Sequence, residues 1–142
     1  MNKPTPFQFP IRIYWEDTDA GGIVFYANYL KFMERSRTEW LRSLGFNQQV
    51  LREQVGGMFV VSETAVKYHQ SARLDDALWV TASVQEAGRV SLTIAQQVLL
   101  RRDGQADTLL AEGTIRIGWV DAATLKPSRI PAAILEALKS SS

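Results

Sequence analysis

One stretch of this chain, from about Tyr26 to Leu44, carries helical hydrophobic spacing over several turns, and most of the sequence beyond it alternates like strand. Tyr26, Tyr29, Leu30, Met33, Trp40, Leu41 and Leu44 recur at i, i+3, i+4 and i+7, a stripe interrupted by Arg37. Gly45 supplies a natural stop. At about 1.5 Å per residue such a helix is roughly 30 Å long, enough to cross a sheet. Ahead of it, Phe9 to Trp15 reads as a half-buried strand, with Pro10 acceptable only near the strand's start or at an edge. Behind it come Met58 to Tyr68, Ala77 to Ala87, Val90 to Arg101 and Thr108 to Val120. Leu78, Val80, Ala82 and Val84 share one face, and Ile115, Ile117 and Trp119 keep the alternation. Asp103-Gly104 predicts a hairpin between the last two strands, and Pro131 predicts the first residue of a short closing helix ending near Leu138. A single early helix followed by a run of strands predicts an α+β fold, an antiparallel five-stranded sheet wrapped around the helix. Trp79 and Trp119, placed in strands of a sheet with one open face, predict a dimer.

Composition narrows the chemistry. The 142 residues suit one domain, 1–142, with its ordered core over about 8–138. Sixteen basic against 15 acidic side chains give a net charge of +1, so no global field draws the chain to nucleic acid or membrane. Met1 to Pro6 has no apolar leader region and no run approaches a membrane span, which predicts a soluble cytoplasmic protein. The absence of cysteine excludes disulfides and thiolate nucleophiles. The lone histidine, His69, excludes a two-histidine metal motif, and no Gly-x-Ser-x-Gly is present. Carboxylate chemistry is what remains, with neither metal nor cofactor expected.

The loop before the helix, Glu16-Asp17-Thr18-Asp19-Ala20-Gly21-Gly22, joins carboxylates and a flexible turn to the positive end of a helix dipole. A carboxylate supplies a nucleophile or base, and free helix N–H groups bind a developing oxyanion. Asp19 is the leading candidate, although turn formation or N-capping is the more ordinary duty of an aspartate before two glycines. Asp17 has the same ordinary role and Glu16 reads as solvated. Tyr26 offers a free backbone N–H, its ring reading as packing. Gly21 and Gly22 either admit a substrate close to the backbone or merely supply positive φ. Glu34, Glu39, Arg35 and Arg37 read as a solvated helix face, and Glu63 as an outward strand residue. Arg89, Arg101, Arg102, Lys126 and Arg129 are candidates for holding phosphates, or scattered surface charges.

The string from Trp15 through Tyr29 closely resembles the active-site loop of 4-hydroxybenzoyl-CoA thioesterase-type hotdog proteins. Phe32-Met33-Glu34-Arg35-Ser36-Arg37-Thr38-Glu39 and Ala72-Arg73-Leu74-Asp75-Asp76 resemble the Tol-Pal-cluster acyl-CoA thioesterase branch, and the likeness runs from about Ile11 to Ala133. The resemblance implies a hotdog fold and hydrolysis of an acyl-CoA. It implies Asp19 as nucleophile or general base, the Tyr26 N–H as donor to the thioester carbonyl, and Gly22 where backbone nears substrate. It places Arg89 and Ser91 near the coenzyme A carrier. A homo-oligomer, dimer or tetramer, with the site at a subunit boundary is also implied. One departure stands out: the Tol-Pal-type branch usually has histidine where this chain has Tyr26. A non-catalytic module binding acyl-CoA, acyl-carrier protein or an envelope-associated complex is the competing reading. A hydratase ranks lower, because nothing places His69 beside Asp19. Tyr29, Met33, Met58 and Phe59 are the candidate walls for an acyl group of open identity.

Overall fold

The computed structural model describes residues 6–142, so the arm before Pro6 lies outside the described residues. The elements in order are β1 (Phe7–Arg12), a 3₁₀ turn (Trp15–Asp17), α1 (Asn28–Ser43), α2 (Gln48–Val50) running into a π-helical turn (Leu51–Val55), β2 (Gly57–Tyr68), β3 (Ala77–Ala87), β4 (Ser91–Leu100), β5 (Thr108–Asp121) and α3 (Ala132–Ser140). The strands make one antiparallel sheet in the order β1-β3-β4-β5-β2, which leaves β1 and β2 as its edges. Pro10 sits inside β1, where an edge strand tolerates its missing N–H.

Alternation decides which side of the sheet meets α1. Leu78, Val80 and Ala82 of β3, Leu92, Ile94 and Val98 of β4, and Ile115, Ile117 and Trp119 of β5 are buried together with Phe32, Met33, Trp40 and Leu41 of α1. Ser36 lies on this buried face too, its Oγ donating to the Val80 carbonyl at 2.8 Å. A small residue there lets helix and strand backbones approach, and its hydroxyl finds an acceptor that burial would otherwise deny it. α3 closes one end through Ile134 and Leu138, and the Trp40 indole N–H donates to Ser141 Oγ at 2.9 Å.

Four sequence expectations shift. The first strand ends at Arg12 rather than Trp15, because Asp17 Oδ2 accepts the Tyr14 N–H at 2.8 Å and folds that segment into a 3₁₀ turn. Asn28 rather than Tyr26 is the first residue of α1, making the 16-residue helix about 24 Å long. Its buried stripe takes in Phe32 and Ser36 and leaves Leu30 exposed. Trp119 faces the core, 3% exposed, and Trp79 lies half-buried under the Arg101 guanidinium, so neither presents an open apolar face.

Trp119 also constrains its neighbour. A Cβ on Gly57 would fall 2.4 Å from the Trp119 indole, which is itself packed edge-on against Phe59. Gly57→Ala is therefore expected to destabilise the fold by about 1–3 kcal/mol through overpacking, read as a lower midpoint in urea at unchanged slope.

Candidate active site

The loop between β1 and α1 is a small hairpin tied into the body of the protein. Asp19 N–H donates to the Ile23 carbonyl at 2.8 Å and Phe25 N–H to the Asp17 carbonyl at 3.1 Å, with Thr18 bridging Val24. Gly22 sits at the tip with φ +81°, a conformation that disfavours any side chain. A second strap holds the hairpin from outside. Val24 N–H donates to the Ala72 carbonyl at 2.9 Å, Ile23 bridges Arg73, and the Ala72 N–H donates to Tyr29 Oη at 3.0 Å. Burial pushes the Tyr29 phenol above its ordinary pKa.

Two aspartates that look alike in sequence are separated by their bonds. Asp17 caps the 3₁₀ turn through its carboxylate, and its carbonyl accepts from Asn28 Nδ2 at 2.9 Å as well as from Phe25. Asp19 is exposed, and its carboxylate accepts one bond, from the Gly21 N–H at 2.8 Å. That bond is the turn-forming contact expected of an aspartate here, and it leaves the second oxygen to other partners.

The start of α1 supplies the other half of the site. Asn28, Tyr29 and Leu30 donate to the carbonyls of Phe25, Tyr26 and Ala27 at 2.9, 3.3 and 3.2 Å. The N–H groups of Tyr26 and Ala27 donate to nothing among the described residues. These are the unspent donors at the positive end of the helix. The Tyr26 ring lies 4.9 Å from that of Phe25 and 6.1 Å from that of Tyr68 at the end of β2, and Tyr68 also meets Tyr29 at 5.5 Å. Burial, and then the neighbouring Tyr26, holds the Tyr68 phenol above its usual pKa. Sequence reasoning misses Tyr68, and it singles out Ala72–Arg73 only within a family-like motif and not as a strap on the hairpin, since no local pattern announces a long-range contact.

Asp19, Gly22 and Tyr26 are thus together, while Arg89 and Ser91 are not with them. The hairpin packs beside the start of β3, whereas Arg89 and Ser91 follow its far end, about 35 Å of strand away. Ser91 lines a polar hollow of about 410 Å³ with Glu63, Glu86 and Arg116, and Arg116 Nη2 donates to Ser91 Oγ at 3.4 Å. The basic residues split as well. The Arg89 carbonyl accepts from Ile130 and the Lys126 carbonyl from Asp121, which groups Arg89, Lys126 and Arg129 at one end. Arg101, at the other end of β4, is bound by Asp107. His69 stands at the surface, its Nε2 3.6 Å from Glu112. Among the described residues no group of acidic or histidine side chains is placed to hold a metal.

A five-stranded antiparallel sheet wrapped around one long helix is the hotdog architecture. The chain belongs to the thioesterase-like superfamily, whose profile matches residues 13–138. An acyl-CoA thioester hydrolase YbgC of Escherichia coli O6:H1 is 40% identical over 136 residues, covering 95% of this chain and 97% of that protein. An acyl-CoA thioesterase YbgC of Haemophilus influenzae is 41% identical over 125 residues, 88% of each. In fold, the chain is similar to a 4-hydroxybenzoyl-CoA thioesterase solved with 4-hydroxybenzoyl-CoA, with TM-score 0.86, 19% identity, and coverage of 92% and 96%.

Proposed function

We propose that this chain hydrolyses the thioester of an acyl-CoA to a carboxylic acid and free coenzyme A. Asp19 acts as nucleophile or as base for water, the Tyr26 N–H polarises the carbonyl, and Gly22 lets the substrate approach the backbone. The observation that carries the reading is the pairing, on one short hairpin, of an exposed carboxylate with unspent N–H groups at a helix start. The acyl-CoA thioesterase activity for which the YbgC relatives are named supports it.

An exposed carboxylate and donor need a wall to exclude water, and a second copy is the natural one. β2 is a 12-residue edge strand with Val60, Val61 and Tyr68 exposed, the kind of edge that pairs with another chain. Two-fold antiparallel pairing reverses β2, bringing the Gly57 end of one copy to the Tyr68 end of the other. Val60 pairs with Gly118, which pairs with Ser91, so the Arg89–Ser91 turn travels with the Gly57 end. Such a homodimer sets Arg89 and Ser91 of one copy near Asp19 of the other, where the carrier's phosphates meet arginine. A homotetramer follows if the open sheet faces then stack. Acyl-carrier protein is a second carrier that the same basic end accommodates. The reading is of a cytoplasmic single-domain enzyme over residues 1–142, and among the described residues no helix is long and apolar enough to cross a membrane.

Thiol release measured over a panel of acyl-CoAs, alongside sedimentation, tests the reading. Turnover by a dimer or larger species is expected. Tight acyl-CoA binding without release points instead to a non-catalytic binding module, and a stable active monomer overturns the shared site.

A further inference from the structure

The donor assigned to Tyr26 belongs to a peptide plane that the chain holds from one side. Asn28 N–H donates to the Phe25 carbonyl at 2.9 Å, while the Tyr26 N–H across the same plane donates to nothing among the described residues. A free N–H is what a developing oxyanion needs, and it is also a group whose direction no hydrogen bond of its own maintains. The side chain of the same residue is the remaining handle. The Tyr26 ring, 63% exposed, lies 4.9 Å from Phe25, its neighbour in the chain, and 6.1 Å from Tyr68, edge-on with planes at 90°. Phe25 moves with the turn, whereas Tyr68 ties the turn to another element.

Tyr68 is rooted where the backbone has little freedom. It is the last residue of β2 and pairs with Ala111 of β5. The next two N–H groups, of His69 and Gln70, both donate to the Leu110 carbonyl, at 2.8 and 3.1 Å. Its ring also meets that of Tyr29 at 5.5 Å, and the Tyr29 phenol accepts from the Ala72 N–H. The segment from Tyr68 to Arg73 therefore grips the hairpin by backbone bonds at Ile23 and Val24, and the turn after it by one aromatic contact. Tyr68 itself is 45% exposed, so shortening it opens no core cavity.

We infer that Tyr68 is a positioning residue for thioester cleavage: its ring holds the Tyr26 side chain and through it keeps the Tyr26 N–H aimed at the thioester carbonyl. The inference rests on the thioesterase reading above. One edge-to-face pair favours one arrangement of the turn by a factor of about 2–12. Without it the turn divides its time among arrangements, and only the one with the donor aligned stabilises the transition state. That bond strengthens as charge develops on the oxygen, so its loss shows in kcat rather than in KM.

The test measures kcat and KM for an acyl-CoA that the unaltered enzyme hydrolyses, with thermal melting of each variant. Tyr68→Ala is expected to lower kcat by about 2–12-fold at unchanged KM, and Tyr68→Phe, which keeps the ring, to recover most of that loss. Tyr26→Ala removes the other ring of the pair at an exposed position and is expected to lower kcat similarly, so it reads the same contact should Tyr68→Ala fail to fold. The double variant is expected to be no slower than Tyr26→Ala alone, because a contact is lost only once. A kcat unmoved by either alanine variant, a fall confined to KM, a phenylalanine variant as slow as the alanine one, or losses that multiply in the double variant overturns the inference. Hydrolysis that ignores these changes leaves the thioesterase reading standing, and no hydrolysis of any acyl-CoA by the unaltered chain removes both.

Discussion

Asp19→Asn is expected to lower kcat by about 10²–10⁴-fold while leaving the fold in place. The reason is the bond that the side chain already makes. Its Oδ1 accepts from the Gly21 N–H at 2.8 Å, a bond that an asparagine carbonyl oxygen reproduces, so the hairpin keeps its turn. Only the negative charge is lost, and with it the proposed nucleophile or base. Asp17→Asn is the control. Its side chain accepts the Tyr14 N–H through one oxygen, which an asparagine carbonyl likewise supplies, so the change is expected to cost little stability and little turnover. Thioester release and thermal melting of both variants check the pair. Near-normal hydrolysis by Asp19→Asn removes this residue from the chemistry.

Tyr26→Pro is expected to lower kcat by about 10²–10³-fold, the usual effect of deleting one oxyanion donor. A proline lacks the N–H that matters, and among the described residues that N–H bonds to nothing within the chain. Tyr26 precedes the first residue of α1 by two, and its N–H donates to nothing among the described residues, so folding loses no hydrogen bond. Tyr26→Phe keeps the donor and the ring contacts with Phe25 and Tyr68, and is expected to stay within a few-fold of the unaltered enzyme. Single-turnover kinetics at saturating acyl-CoA, with circular dichroism on each variant, separate the donor from the ring. Equal rates for the proline and phenylalanine variants defeat the main-chain assignment.

Much of the fold is legible in the sequence. The alternation of Leu78, Val80 and Ala82, and of Ile115, Ile117 and Trp119, reports burial directly, because successive strand residues point to opposite faces. The helical stripe is legible in period but not in phase. Ser36 looks polar and Leu30 apolar, yet Ser36 is buried and Leu30 exposed, since the Val80 carbonyl gives the serine hydroxyl an acceptor. The interruption at Arg37 is a readable sign, a charge on a face otherwise meant for the core. Its meaning needs Gln96, 59 residues away in sequence. The end of the first strand is obscured by a different competition: the Tyr14–Asp17 bond is local, but the alternation continues past it.

By itself, then, the order of periodicities determined one helix against one antiparallel sheet, and the residue inventory excluded cysteine chemistry and a two-histidine metal motif. Those properties are local or compositional, and a chain carries them wherever it goes. Tertiary structure decided which N–H groups are left without acceptors, and that Arg89 and Ser91 lie a strand's length from Asp19. Hydrogen bonds saturate and distances depend on the whole path of the chain, so neither can be known until every partner has taken its place.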